Sequence, residues 1–200
     1  MTQVSMATLI SGALSDKLVS FPTDTVPALA VLPHKSELVF EAKRRPQDKP
    51  LILMGASPNS LWPYVQGTSA QRSIWEQMAQ KYWPGALTLV LPASDKVPTV
   101  MNPSDPTTIG VRVPASKVAI AILSKTGPLA TTSANYSGEP PLQTMAAVEV
   151  QFPEVLTLQP AELEAIKPDK IGVPSTVAKW TSSGWKILRA GGIQLDDSGF

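Results

Sequence analysis

Twenty prolines lie scattered through these 200 residues, about twice the average share, and they punctuate the chain into short pieces. Proline fixes φ, removes an amide donor and pushes the preceding residue toward extended geometry, so it sets element ends. Between the prolines, short apolar runs alternate with amphipathic ones. Met6, Leu9, Ile10 and Ala13 recur at helical spacing and predict a helix over 5–14. Strands are predicted at 17–21, stopping at Pro22, and at 28–32. Ser36 reads as the N-cap of a helix from Glu37 to about Arg44, with Pro46 forcing the chain out of it at Arg45.

Farther along, the pattern predicts strands at 51–54, 87–91, 108–113, 129–132, 155–158, 175–180 and 185–188. Helices are expected at 69–82, 116–124 and near 142–150, and 162–169 reads as a short helix and loop. This alternation predicts an α/β fold built on a mixed sheet with flanking helices. No linker-like stretch divides the chain, so residues 1–200 read as a single domain. That length holds a sizeable core.

Composition narrows the chemistry. With no cysteine, disulfides, thiolate metal sites and a cysteine nucleophile are excluded. One histidine, His34, argues against a histidine-rich metal site or a Ser-His-Asp triad, and its polar turn after Pro33 reads as surface. Net charge is +1, so no global field holds the chain on nucleic acid or an anionic membrane. Membrane-length apolar runs are missing and residues 1–10 lack signal-peptide character, which makes the cytoplasm the expected compartment.

Charged residues are only 16% of the chain, so clusters stand out. Pro22-Thr23-Asp24-Thr25 follows a strand; its hydroxyls and carboxylate suit a small polar ligand, or equally a capped turn. Residues 43–49 carry four of the 17 basic residues, fitting a phosphate clamp or a solvated helix end. Residues 131–138 gather hydroxyls and an amide past a buried strand, as does the pair Ser175-Thr176 entering another. Arg112 interrupts the apolar strand 109–113, where a charge needs a partner or a ligand. Arg189 ends the last strand, just before Gly191-Gly192. None of these is a Walker A loop or a dinucleotide fingerprint.

In this order the clusters resemble the YrdC-like family. The resemblance rests on seven segments: 21–26, 43–46 with 49–51, 83–89, 110–114, 133–138, 174–177 and 187–191, which together span nearly the whole chain. It implies a YrdC-like twisted mixed sheet around a central basic cavity. It further implies an enzyme that joins L-threonine, bicarbonate and ATP into threonylcarbamoyl-AMP and pyrophosphate. Magnesium would arrive with the nucleotide, with no tightly bound metal, and a partner transferase would pass the product's acyl group to tRNA. By resemblance the Lys-x-Arg and Ser-x-Asn signatures fall on Lys43, Arg45, Ser133 and Asn135, as catalytic and ATP-contacting residues, with Arg189 near the nucleotide. Thr23, Thr25, Arg112, Thr131 and Ser175 fall on the threonine side.

The chain departs from the family pattern at three places. Pro27-Ala28 stands where the family usually has Tyr-Gly, Ala178-Lys179 where it often has Val-Asp, and Ser116 where it usually has His. All three touch the amino-acid side. They leave open a divergent paralogue that binds ATP and a different small acid. A non-catalytic RNA-binding module with weak RNA contact is the other alternative, disfavoured by the near-zero net charge.

Overall fold

The computed structural model describes residues 2–44, 49–164 and 172–195. Their strands are β1 (Gln3–Val4), β2 (Val19–Phe21), β3 (Ala28–Val31), β4 (Ile52–Met54), β5 (Leu87–Pro92), β6 (Thr108–Arg112), β7 (Leu129–Ser133), β8 (Leu156–Leu158), β9 (Thr176–Thr181) and β10 (Gly184–Arg189). Helices are α1 (Met6–Leu14), α2 (Glu37–Ala42), α3 (Pro58–Leu61), α4 (Ser69–Tyr82), α5 (Lys117–Thr126), α6 (Met145–Gln151) and α7 (Pro160–Glu164). All ten strands join one twisted sheet in the order β1-β8-β2-β3-β7-β4-β6-β5-β9-β10. It is mixed: β4 runs parallel to β6 and β5 to β9, while β7 is antiparallel to both β3 and β4.

Side chains alternate across each strand, so the register sorts residues into two faces. On one face Ala130, Leu53, Val111, Leu89 and Ala178 form a row across five strands. All five are fully buried, in the cluster that contains Val39 and Phe40 of α2 and Trp75, Met78 and Ala79 of α4. Trp180 and Trp185 extend that cluster through edge-on ring contacts, Trp75 to Trp180 and Trp180 to Trp185. The opposite face is covered at one end by Leu9 and Ala13 of α1 and by Val118, Ala119, Ile122 and Leu123 of α5, packed on Phe21, Ala28, Met54 and Leu129. Beyond α5 that face lies open and becomes the cavity described below.

The helix ends follow local chemistry. Thr68 and Gln71 form a capping box at α4, while Ser5, Ser116 and Thr144 cap α1, α5 and α6 with their side chains. Thr144 explains why α6 starts three residues after the expected Leu142. Ser36 does not cap α2: it is already helical, and its hydroxyl donates to Pro33 O at 2.7 Å because a 3-10 turn at Pro33–Lys35 leads into the helix. α2 also stops at Ala42, short of the expected Arg44. Among the strands and α-helices, β1 and α3 were not anticipated. β1 is two residues long, too short for a period, and α3 is a single turn. His34 is exposed beside Asp16, at 3.0 Å. No helix among the described residues is long and apolar enough to cross a membrane.

Candidate functional site

Alternation fixes which residues the open face presents. A second row, Thr131-Ile52-Gly110-Val90-Lys179, crosses the same five strands on the cavity side. It forms the floor of a cavity of about 580 Å³, a size that suits a small-molecule ligand. Gly110 sits at the middle of the row, where an added Cβ would come within 2.9 Å of Ile52 Cγ2. Its missing side chain keeps the floor flat. Among the described residues four cations, Lys49, Arg112, Lys179 and Arg189, line the cavity against one carboxylate, Asp105.

The segment 22–25 forms the turn its residues suggested, at the cavity's edge. Thr23 Oγ1 donates to Val26 O at 2.7 Å and accepts from Thr25 N at 3.1 Å, which closes a tight turn. The same two hydroxyls line the cavity, and Thr25 Oγ1 accepts from Arg112 at 2.9 Å. Arg112 is almost wholly buried, at 3% exposure. Its Nε donates to Gly85 O at 3.0 Å and a terminal nitrogen meets Asp24 Oδ1 at 2.7 Å. Burial pushes this guanidinium below its ordinary value, while Asp24 pulls it back up and Arg189 adds repulsion. A fixed cation thus stands at one end of the cavity with hydroxyls around it.

Ser175 completes that end. Its hydroxyl shares a 2.9 Å hydrogen bond with Thr88, and its carbonyl accepts from Arg189 at 2.8 and 3.2 Å. Desolvation lowers the Arg189 guanidinium in the same way. Gly191 lets the chain after Arg189 lie against the 174–176 backbone, since a Cβ there would fall 2.3 Å from Pro174 O. Thr131, buried in the floor, donates to Ile52 O at 3.3 Å. Thr23, Thr25, Arg112, Thr131, Ser175 and Arg189 therefore share one cavity, joined by Ser133.

Lys43 and Asn135 meet each other instead, behind the cavity wall. Lys43 closes α2 as its C-cap and is fully buried. Its ammonium donates to Ser133 O, to Asn135 O at 2.6 Å and to Asn135 Oδ1 at 3.3 Å. Asn135 Oδ1 also accepts from Ser133 Oγ at 2.6 Å, and its amide nitrogen donates to Tyr136 O and Glu139 O. Neither residue lines the cavity. The physical reason is the carbonyl-rich loop after β7, which offers the ammonium a ready set of acceptors. Arg45 lies outside the described residues.

Several cavity residues escaped the sequence reading, Thr88, Asn102, Asp105 and Lys179 among them. Thr88 sits inside an apolar strand as a lone hydroxyl, without the clustered neighbours that marked Thr131. Lys179 was noted only as a departure, and Asp105 and Asn102 belong to a loop with no motif. The three departures also have places. Pro27 and Ala28 line the cavity, and Pro27 O accepts from Ala134 N at 2.9 Å. Ser116 caps α5 and donates to Pro22 O at 3.2 Å, tying that helix to the 22–25 turn. Among the described residues no three His, Cys, Asp or Glu side chains gather as a metal cluster would need.

A ten-stranded mixed sheet with helices on both faces and a cation-lined cavity on one of them defines the class, and the chain belongs to the Sua5/YciO/YrdC family, whose model, described as telomere recombination, matches residues 13–191. Particular relatives sharpen this. The threonylcarbamoyl-AMP synthase of Pyrococcus abyssi is 36% identical over 188 residues, covering 90% of this chain and 52% of that protein. Its namesake from Escherichia coli O6:H1 is 32% identical over 162 residues, 79% of this chain and 84% of the other. The crystal structure of P. abyssi Sua5 complexed with L-threonine superposes with a TM-score of 0.82 at 32% identity, over 94% of this chain and 54% of that one. The chain thus spans about half the length of the archaeal relative it matches.

Proposed function

We propose that this chain makes threonylcarbamoyl-AMP and pyrophosphate from L-threonine, bicarbonate and ATP. The observation that carries the reading is the cavity itself, with a fixed Arg112 and Arg189 set among Thr23, Thr25, Thr131 and Ser175. An arginine amid hydroxyls suits an amino-acid carboxylate and side-chain hydroxyl, while further cations suit phosphates. The homologous synthases and the L-threonine complex of a family member support the same assignment.

The reaction needs no enzyme nucleophile. The threonine amine adds to bicarbonate with loss of water, giving a carbamate. A carbamate oxygen attacks the α-phosphorus, forming a P–O bond as the bond to the pyrophosphate leaving group breaks. Holding the reactants together, excluding water and neutralising phosphate charge are the tasks left to the protein. On this reading Arg112, Thr25, Thr131 and Ser175 hold threonine, with Thr23 bracing the turn. Arg189 and Ser133 face the nucleotide, joined by Arg45 on the strength of the family resemblance. Lys43 and Asn135 act one step back, by shaping the loop that presents Ser133. The triphosphate would bring its own magnesium, which would supply part of the charge neutralisation. The product would pass to a transferase acting on tRNA, in the cytoplasm.

Pyrophosphate release tests this. We expect release that requires ATP, bicarbonate and threonine together, with threonine preferred over a panel of other amino acids. Release indifferent to the amino acid, or none, would overturn the assignment.

A further inference from the structure

Lys179 stands on β9 in register with Val90, at one end of the cavity floor. Its ammonium faces Asp105 Oδ2 at 3.6 Å, too long for a hydrogen bond, and the two side chains are 35% and 43% exposed. An ion pair so loose and so wet contributes little. The two arginines of the cavity are held: Arg112 by Asp24, Thr25 and Gly85 O, and Arg189 by Ser175. Asp105 is held as well. Thr107 and Thr108 donate their hydroxyls to its two oxygens at 2.5 and 3.0 Å, and the Asn102 amide donates to its carbonyl at 2.6 Å. Of the two partners, then, the carboxylate is anchored by its loop while the lysine is the one that can turn. The Thr107 hydroxyl, ahead of opposing desolvation, keeps the Asp105 carboxyl below its ordinary range, so it remains charged.

We infer that Lys179 is a phosphate-binding residue of this cavity, docked on Asp105 until a bound polyanion draws it across the floor. This rests on the nucleotide reading above. A single carboxylate offers the lysine one charge; a triphosphate offers several, and that exchange is favourable. Asp105 therefore acts as an internal competitor that a multiply charged ligand outbids and a singly charged one does not.

The two partners make opposite predictions. Lys179→Met weakens ATP binding, read by calorimetry on the whole chain, by about tenfold, the size of one charged hydrogen bond. Asp105→Asn keeps one of the two side-chain acceptors that Thr107 and Thr108 use, removes the charge and frees the lysine, so ATP binds about threefold tighter. In a Lys179→Met background the Asp105→Asn gain disappears. Unchanged ATP affinity in Lys179→Met overturns the inference. So does an equal Asp105→Asn gain in both backgrounds, which would mean a general field effect. Absence of ATP binding by the unaltered chain defeats the nucleotide reading itself, and this inference with it.

Discussion

A fully buried lysine whose ammonium is ringed by main-chain carbonyls is an organiser of backbone. Lys43 reaches from the end of α2 to the loop after β7 and gathers Ser133 O, Asn135 O and Asn135 Oδ1. Replacing it with methionine keeps the volume and leaves those acceptors without their donor. We expect Lys43→Met to lower stability by about 2–3 kcal/mol, read as a shift in urea midpoint at constant slope; wild-type stability in that variant would refute the organising role. The residue identity was legible in the sequence, because Lys43 stands in a dense basic stretch. Its direction was not. The reading sent it toward phosphate, and only the fold reveals that carbonyls 90 residues away reach it first. Arg112 went the other way: a charge inside an apolar strand demanded a partner, and Asp24 with Thr25 answers.

At the scale of elements, helix α5 connects packing to the site. Its apolar face sits on Met54 and Leu129 at the cavity's edge, and its cap Ser116 bonds both Ala119 N and Pro22 O. Ser116→Ala removes both bonds and is expected to cost about 1 kcal/mol, about 2–4 °C in Tm for a chain this size. Ser116→Asp keeps the cap acceptor and should recover most of that. A loss confined to helix content, with no recovery in the aspartate variant, would argue against the capping role. Long periodic stretches such as α4 were readable to the residue, since fourteen positions and clear end signals agree. β1 has two residues and α3 four, fewer than any period can mark. Strand order was not readable at all, because β7 pairs with β3 and β4, and such distant partners leave no local trace.

All the strands of the described residues belong to one sheet. Trp75, Trp180 and Trp185 pack together across α4, β9 and β10, while the backbone signal comes from the entire structure. A continuous ten-stranded sheet predicts that tryptophan fluorescence and far-ultraviolet circular dichroism lose structure at the same urea concentration. Two separated midpoints would mean that the halves of the sheet fold independently. The floor residues of the cavity come from β4, β5, β6, β7 and β9, so its parts emerge from the ribosome far apart in time. A nascent chain paused after β7 has its threonines at 23, 25 and 131 in hand and still lacks Ser175, Lys179 and Arg189. A ligand that needs both groups of residues therefore meets its full site only after the first two-thirds of these 200 residues have been made, and it acts by stabilising the assembled sheet.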